Sequence, residues 1–274
     1  MTLTLKFLDV GLGTSVIMET DELNIIFDCG QDANGRNAFK ELGFKTLDYL
    51  IITHPHKDHI ESLTSPYYQK PRRLTRNKSI PEPLIEEQIS KAKTDYDKEI
   101  FKKYKMLNRD FKYSVEDADS YTNPNNNGNV IIHHYTPSLT SINDLNYYSL
   151  ATFLSYDGYK ILLMGDNTLS NINELLSDED FKSRTKDIDV LLAPHHGRAS
   201  CYSQKLLEHL KPKITIISDK PEDNEESARE GYTYYSKGMY ILEKGELKFR
   251  KCLTTRNDGD IIVLIKNNDI SIIC

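Results

Sequence analysis

Hydrophobic and polar positions alternate in short runs at the start of the chain. "TLTLKFLD", "SVIMET" and "LNIIFD" read as strands, punctuated by Gly11, Gly13 and Gly30. The pattern predicts a helix from Asn34 to Leu42, stopped by Gly43. "DYLIIT" then reads as a buried strand that runs straight into "HPHKDH". From about Ile60 to Asn129 the character changes. A Pro-punctuated basic stretch precedes one predicted helix, Leu84 to about Asp110, with Ile85, Ile89, Ala92, Tyr96, Ile100, Tyr104 and Leu107 at three- or four-residue spacing. One face can dock while the lysines meet water, and "NPNNNG" closes the segment as a flexible loop. We expect residues 61–129 to be a helical insertion in a single domain spanning 1–274.

Strand signals resume at "NVIIHHY", "YSLATFLSY" and "YKILLMGD", the last two joined by Asp157-Gly158, a hairpin cue. A helix near Ser170 to Leu176, a strand "IDVLLA", the run Pro194-His195-His196-Gly197, a helix "SQKLLEHL" and a strand "KITIIS" follow. The tail offers a second hairpin, "GMYILEKGELKFRK", and a strand "GDIIVLI". Strands alternating with helices predict an α/β fold.

Composition adds limits. Hydrophobic content of 38% with 28% charged residues suits a folded globular protein. No apolar run approaches the roughly 18 residues of a membrane helix, and the first residues alternate like a strand, so the expectation is a cytoplasmic protein with no membrane contact. Cys29, Cys201, Cys252 and Cys274 are scattered, which suggests buried, inert thiols. Net charge is −6, yet residues 66–113 hold thirteen Lys and Arg against seven Asp and Glu. A basic appendage on an acidic body is compatible with nucleic acid bound through 66–113, and equally with a solvated face.

The chemistry concentrates in His54, His56, Asp58 and His59, on a loop at the C-terminal end of a predicted strand. Imidazole nitrogens and carboxylate oxygens suit a divalent metal. Alternate residues of an extended chain project the same way, so His54 and His56 can meet one ion while Asp58 and His59, after the turn, reach a second. His133 and His134 read as one inward and one outward strand residue, and His209 as a surface residue near a helix C-terminus. Asp28, at a strand end, either orients a ligand histidine or caps a turn.

The His-x-His-x-Asp-His run resembles the signature of the metallo-β-lactamase superfamily, and other segments follow in that family's order. "FLDVGLGTSVIMET" resembles its opening strand pair, "NIIFDCG" its third strand, "YKILLMGD" the segment presenting a metal-bridging aspartate, and "LLAPHHG" a later metal-site motif. The Asp-Val-Gly-x-Gly opening, the Pro-His-His-Gly run and "TTRNDGDIIVLI" look most like the ComEC-type branch, which includes nuclease domains of DNA-uptake channels and is similar to choline-phosphate esterases. The resemblance covers roughly residues 3–60 and 130–265. It implies a four-layer αββα sandwich with a helical basic insertion. It also implies two divalent ions, zinc first and manganese second, with His54 and His56 on one, Asp58 and His59 on the other, and Asp166 as bridge.

Many family members carry a further histidine where "SLTSINDLNYYSL" offers only Asn and Asp, so His195 or His196 is expected to complete the first site and the other to polarise substrate. Where ComEC-type sequences carry a late Gly-His-Pro, "EGYTYYSKG" has no histidine, which implies a second site completed differently. The implied activity is that of a metal-dependent hydrolase, a phosphodiesterase or nuclease using a metal-bound hydroxide, with Asp58 orienting it. Two alternatives stay open: a small-molecule phosphodiesterase, and a metal-stabilised binding or regulatory module whose inserted helix contacts a protein partner. A fold does not choose among them.

Overall fold

The structure is a computed structural model that describes residues 2–114, 127–138, 144–219 and 226–274. In chain order its strands are β1 (Thr2–Phe7), β2 (Ser15–Thr20), β3 (Asn24–Cys29), β4 (Tyr49–Ile52), β5 (Arg73–Arg76), β6 (Ile131–Tyr135), β7 (Ala151–Tyr156) and β8 (Tyr159–Leu163). There follow β9 (Val190–Leu192), β10 (Ile214–Ile217), β11 (Met239–Glu243), β12 (Glu246–Arg250), β13 (Cys252–Thr254), β14 (Ile261–Lys266) and β15 (Asp269–Ile273). They form two sheets, ordered β12-β11-β15-β14-β1-β2-β3-β4-β5 and β13-β10-β9-β8-β7-β6.

The period-two pattern sets the inner faces. Leu3, Leu5 and Phe7 of β1 are buried while Thr4 and Lys6 are half-exposed, and the inward set packs against Leu154, Ile161, Leu163, Leu192 and Ile216 of the other sheet. Both hairpin cues hold. Asp157 and Gly158 take φ of 48° and 81°, and Lys244 and Gly245 take 50° and 84°, the left-handed pair a two-residue turn requires.

Helices cover the outer faces. On the larger sheet lie α1 (Ala38–Leu42), α2 (Lys57–Ile60), α3 (Glu82–Lys91) and α4 (Asp95–Asp110), with Phe39, Leu84, Ile100 and Tyr104 packed on Ile26, Leu50 and Ile52. On the smaller sheet lie α5 (Leu169–Leu175), α6 (Glu179–Thr185), α7 (Gln204–Leu210) and α8 (Arg229–Tyr235), with Ile172, Phe181 and Leu206 against Leu162 and Leu191. A one-turn α9 (Thr255–Asp258) follows β13. The order is helix, sheet, sheet, helix, as expected. No helix among the described residues is long and apolar enough to cross a membrane.

Three expectations are corrected. The helix predicted from Asn34 begins at Ala38, because the Asn37 side chain caps it by accepting from Lys40 N–H. The single helix predicted from Leu84 to Asp110 is two, α3 and α4. Ala92 is extended, and Thr94 restarts the chain as an N-cap that accepts from Asp97 N–H at 3.0 Å and donates its hydroxyl to the Asp97 carboxylate at 2.8 Å. The segment 61–129 is also not wholly an insertion, since β5 within it pairs in parallel with β4 and ends the larger sheet. Most of "NPNNNG" lies outside the described residues.

β3, β4 and β5 run parallel in one sheet, and β8, β9, β10 and β13 in the other. Asp28 and Cys29 end β3, and the chain leaving β4, β8, β9 and β10 carries Thr53 and His54, Asp166, His195 and His196, and Ser218. The candidate residues therefore lie at strand ends or, for Asp58 and His59, on the one-turn α2 that follows β4, where rigid backbone aims side chains into one crevice.

Candidate metal centre

Two groups of donors form at these strand ends and share Asp166. Asp58, His59, Asp166 and His196 each offer an atom within 4.8 Å of the others, and so do His54, His56 and Asp166. His59 Nε2 is 3.2 Å from Asp166 Oδ1, and His196 Nε2 is 3.5 Å from Asp166 Oδ2 and 3.3 Å from Asp58 Oδ2. His54 Nε2 is 3.7 Å from Asp166 Oδ2 and 3.0 Å from His56 Nδ1. Asp166 is thus the one residue common to both groups.

The outer nitrogens of the imidazoles are committed elsewhere, and this sets which nitrogen faces inward. Asp28 accepts from Thr53 N–H at 2.8 Å and from the Thr53 hydroxyl at 2.7 Å, and its Oδ2 is 2.7 Å from His59 Nδ1. Having donated to Asp28, Thr53 Oγ1 can accept from His54 Nδ1–H at 3.2 Å. His196 Nδ1–H donates to the Ser218 carbonyl at 3.2 Å, and the Ser218 hydroxyl donates to the Gly13 carbonyl at 2.7 Å. Each of these rings presents Nε2 to the carboxylates, as a metal ligand held by a second partner does.

His59 Nε2 and His196 Nε2 are buried, and neither makes a hydrogen bond of acceptable direction. Buried polar atoms without partners cost free energy, and here they point at one spot lined by two carboxylates. Nitrogen and oxygen donors at these spacings fit divalent ions, zinc among them.

The electrostatics agree. Burial opposes the charge of His196, but the Asp166 and Asp58 carboxylates outweigh it and push its pKa up to about 9. His59 is likewise raised well above the usual histidine range, by Asp166, Asp28 and Asp58 against burial. Burial favours the neutral form of Asp58 and Asp166, yet His59 and His196 hold both below the usual carboxylate range. His54 goes the other way, lowered well below 6.5 by burial and by the charge on His59. Protons on His59 and His196 occupy positions that suit metal ions.

The Pro-His-His-Gly run reaches the centre through three successive left-handed residues, His195 (φ 47°), His196 (φ 56°) and Gly197 (φ 70°). Such backbone costs about 1–3 kcal/mol per non-glycine residue and persists where something over-determines it. The turn drives the two histidines apart. Of the pair from which the sequence led us to expect one ligand for the His54–His56 group, His196 lies instead with Asp58 and His59. His195 Nε2 is 3.8 Å from Asp166 Oδ2, but Arg198 Nη1 donates to it at 2.9 Å. The second group, short of a late histidine in the sequence, is therefore filled by His196.

His133 and His134 lie away from the centre. His133 Nε2 is 3.4 Å from Asp180, and His134 Nδ1 is 2.8 Å from Thr152 Oγ1. His209 Nε2 is 3.2 Å from Thr185 Oγ1. Of the two readings of Asp28, the geometry supports the orienting one. Sequence reasoning missed Thr53, Ser149, whose hydroxyl accepts from Asp166 N–H at 2.8 Å, and Ser218. Their only signal was position, next to a candidate ligand or at a strand end.

Helix α4 closes one side. Lys57, between His56 and Asp58, bonds Asp97 at 2.7 Å and lies over the Tyr96 ring, while Gln31 Nε2 donates to Tyr96 Oη at 3.3 Å.

Igni18, described as a metallo hydrolase from the archaeon Ignicoccus hospitalis, superposes with a TM-score of 0.53 over 97% of this chain and 99% of its own, at 11% identity. The fold is that of the metallo-β-lactamase superfamily. The superfamily's sequence model also matches residues 8–63, the stretch from the end of β1 through the histidine-rich loop. The metallo-β-lactamase fold protein YhfI from Bacillus subtilis aligns over 96% of this chain and 99% of its own, at 11% identity and a TM-score of 0.49. A diphosphatase of the PhnP family aligns over 96% and 97%, at 16% identity and a TM-score of 0.48. No curated protein matches the sequence. The matched stretch, residues 8–63, contains His54, His56, Asp58 and His59.

Proposed function

We propose that the chain is a metal-dependent hydrolase that cleaves phosphodiesters, with nucleic acid as the first substrate class. The observation that carries the reading is Asp166, shared by two donor groups, one of which holds His59 Nε2 and His196 Nε2, buried without a hydrogen-bond partner. His54, His56 and Asp166 would hold one divalent ion, and Asp58, His59, His196 and Asp166 a second. Ions bound there would lower the pKa of water toward neutrality and offset charge developing on the attacked group.

The chain's own residues then have separate tasks. Asp28, Thr53 and the Ser218 carbonyl hold the rings with Nε2 inward. Asp58 is the more open of the two carboxylates, its side chain 32% exposed against 4% for Asp166. It is placed to accept a hydrogen bond from the attacking water, and its lowered pKa keeps it ionised for that task.

A phosphodiester is favoured over a neutral ester by the basic segment docked on the metal loop through Lys57, Asp97 and Tyr96. Lys78, Lys93, Lys102 and Lys103 are exposed along it, suited to a phosphate backbone. A second reading, a small phosphodiester, is favoured by the ion pairs of the same segment: Lys70, Arg72, Lys91, Lys98 and Lys105 already face Asp110, Asp48, Glu87, Asp95 and Glu82.

The test is incubation of the zinc- or manganese-loaded protein with single-stranded DNA, duplex DNA, RNA and bis-p-nitrophenyl phosphate, beside His56→Ala. Cleavage of a nucleic acid by the wild type alone supports the first reading, and turnover of only the small diester supports the second. Metal bound with nothing cleaved refutes both and leaves a metal-stabilised binding module.

A further inference from the structure

We propose that Asn146 supplies its side-chain oxygen as a donor to the ion held by His54, His56 and Asp166, an inference that rests on the two-ion reading above. That group has three members against four in its neighbour, which took His196. Three protein donors and a water would suffice for zinc, so the case rests on Asn146 itself.

Asn146 belongs to a single 3₁₀ turn, Leu145–Tyr148, that leads into β7. Asp144 caps the turn by accepting from Asn146 N–H at 2.9 Å. The Asn146 carbonyl accepts from Ser149 N–H at 3.0 Å and from Asn171 Nδ2 at 3.3 Å. The backbone is therefore fixed on both sides.

A 3₁₀ helix has three residues per turn, so side chains three apart share a face. Leu145 and Tyr148 share one and join the core that holds Leu50 and Ile52. Asn146 and Ser149 share another, and the Ser149 hydroxyl accepts from Asp166 N–H at 2.8 Å. Leu150 N–H bonds the Thr53 carbonyl at 3.0 Å, one residue before His54. The turn is thus tied to the two chain segments that carry Asp166 and His54.

On that face Asn146 is 8% exposed, and its Oδ1 is buried without a hydrogen-bond partner. His59 Nε2 and His196 Nε2, donors of the neighbouring group, are in the same state. A buried amide oxygen costs free energy unless something takes its lone pairs, and a cation does so. A carbonyl oxygen is a neutral, hard donor that suits manganese, whereas imidazole suits zinc. With that donor and one shared carboxylate against two, the His54–His56 ion is the weaker and the less zinc-selective of the pair.

The test compares the full chain as wild type, Asn146→Ala and Asn146→His, each stripped of metal and titrated with zinc, manganese and cobalt(II). Stoichiometry, affinity of the weaker ion, the visible absorption of bound cobalt and the denaturant stability of the metal-free form are read beside KM and kcat for bis-p-nitrophenyl phosphate. Asn146→Ala should weaken the weaker ion at least about 10-fold, the least that losing even an outer partner costs. It should also change the cobalt spectrum and leave the tighter ion and the metal-free stability undiminished. Asn146→His should bind zinc more tightly than wild type and raise its preference over manganese, a gain that replacing a merely structural asparagine does not give. Unchanged ion affinity and cobalt spectrum in Asn146→Ala, with or without a change in KM, would overturn the assignment and give the oxygen to water or to substrate. So would loss of both ions together with metal-free stability, or zinc binding by Asn146→His no tighter than by Asn146→Ala. Asn146-dependent binding of the weaker ion by a wild type that cleaves no diester would leave this inference standing and remove the hydrolase reading instead.

Discussion

Asp28 Oδ2 and His59 Nδ1 lie 2.7 Å apart, both side chains fully buried, and the same carboxylate takes the Thr53 N–H and hydroxyl. One carboxylate at the end of β3 thereby orients His59 directly and His54 through Thr53. Asp28→Ala should lower zinc affinity about 10–100-fold, the usual consequence of losing such a partner. Competition with a chromophoric chelator measures it, and unchanged affinity would show that the rings orient without Asp28.

Two glycines hold the metal loop close to the first strands. A Cβ at Gly13 or at Gly30 would come within 2.4 Å of the Asp58 carbonyl oxygen, a backbone atom that cannot step aside, and Thr14 N–H bonds that same oxygen. Gly30→Ala should destabilise the fold by about 1–3 kcal/mol and lower metal content by displacing Asp58. Denaturant unfolding and metal analysis check the two effects. A stable variant with full metal would show that the loop has slack.

Metal and protons compete for the same nitrogens. His196, with its pKa near 9, and His59, raised well above 6.5, carry protons at neutral pH in the metal-free protein. Binding a metal must release them. Raising the pH from about 6 toward 9 should therefore strengthen apparent zinc affinity by about tenfold per unit for each displaced proton, flattening as His196 itself deprotonates. Calorimetry in buffers of different ionisation enthalpy counts the protons, and zinc binding with no proton release would contradict these protonation states.

If the basic segment tracks a phosphate backbone, replacing Lys102 and Lys103, both exposed on α4, should weaken DNA binding without sequence preference. It should also reduce the slope of log K against log salt by about 1.4–1.8, two phosphate contacts' worth. An unchanged slope would place the nucleic acid elsewhere or remove it.

The sequence made the strands and the first four candidate residues legible because their signals are local. "TLTLKF" alternates over six residues, and His54 to His59 follow a buried run directly. What it hid depended on distance or on backbone state. The break between α3 and α4 was readable in Thr94 and Asp97 three residues apart, but the apolar spacing across it masked the cap. β5, "RLTR", carries no hydrophobic pattern because it ends a sheet and leans on Tyr49 and α4. That His196, and not His195, joins Asp58 and His59 follows from three left-handed residues in a row, two of them non-glycine, which no residue pattern announces.

The central claim is that Asp166 joins two ion sites. Zinc stoichiometry of the purified protein against Asp166→Ala, read beside hydrolysis of bis-p-nitrophenyl phosphate by the same samples, tests it most directly. The account predicts two ions in an active wild type, with both ions weakened and activity abolished in a folded variant. A variant that keeps its metal and its activity would contradict it.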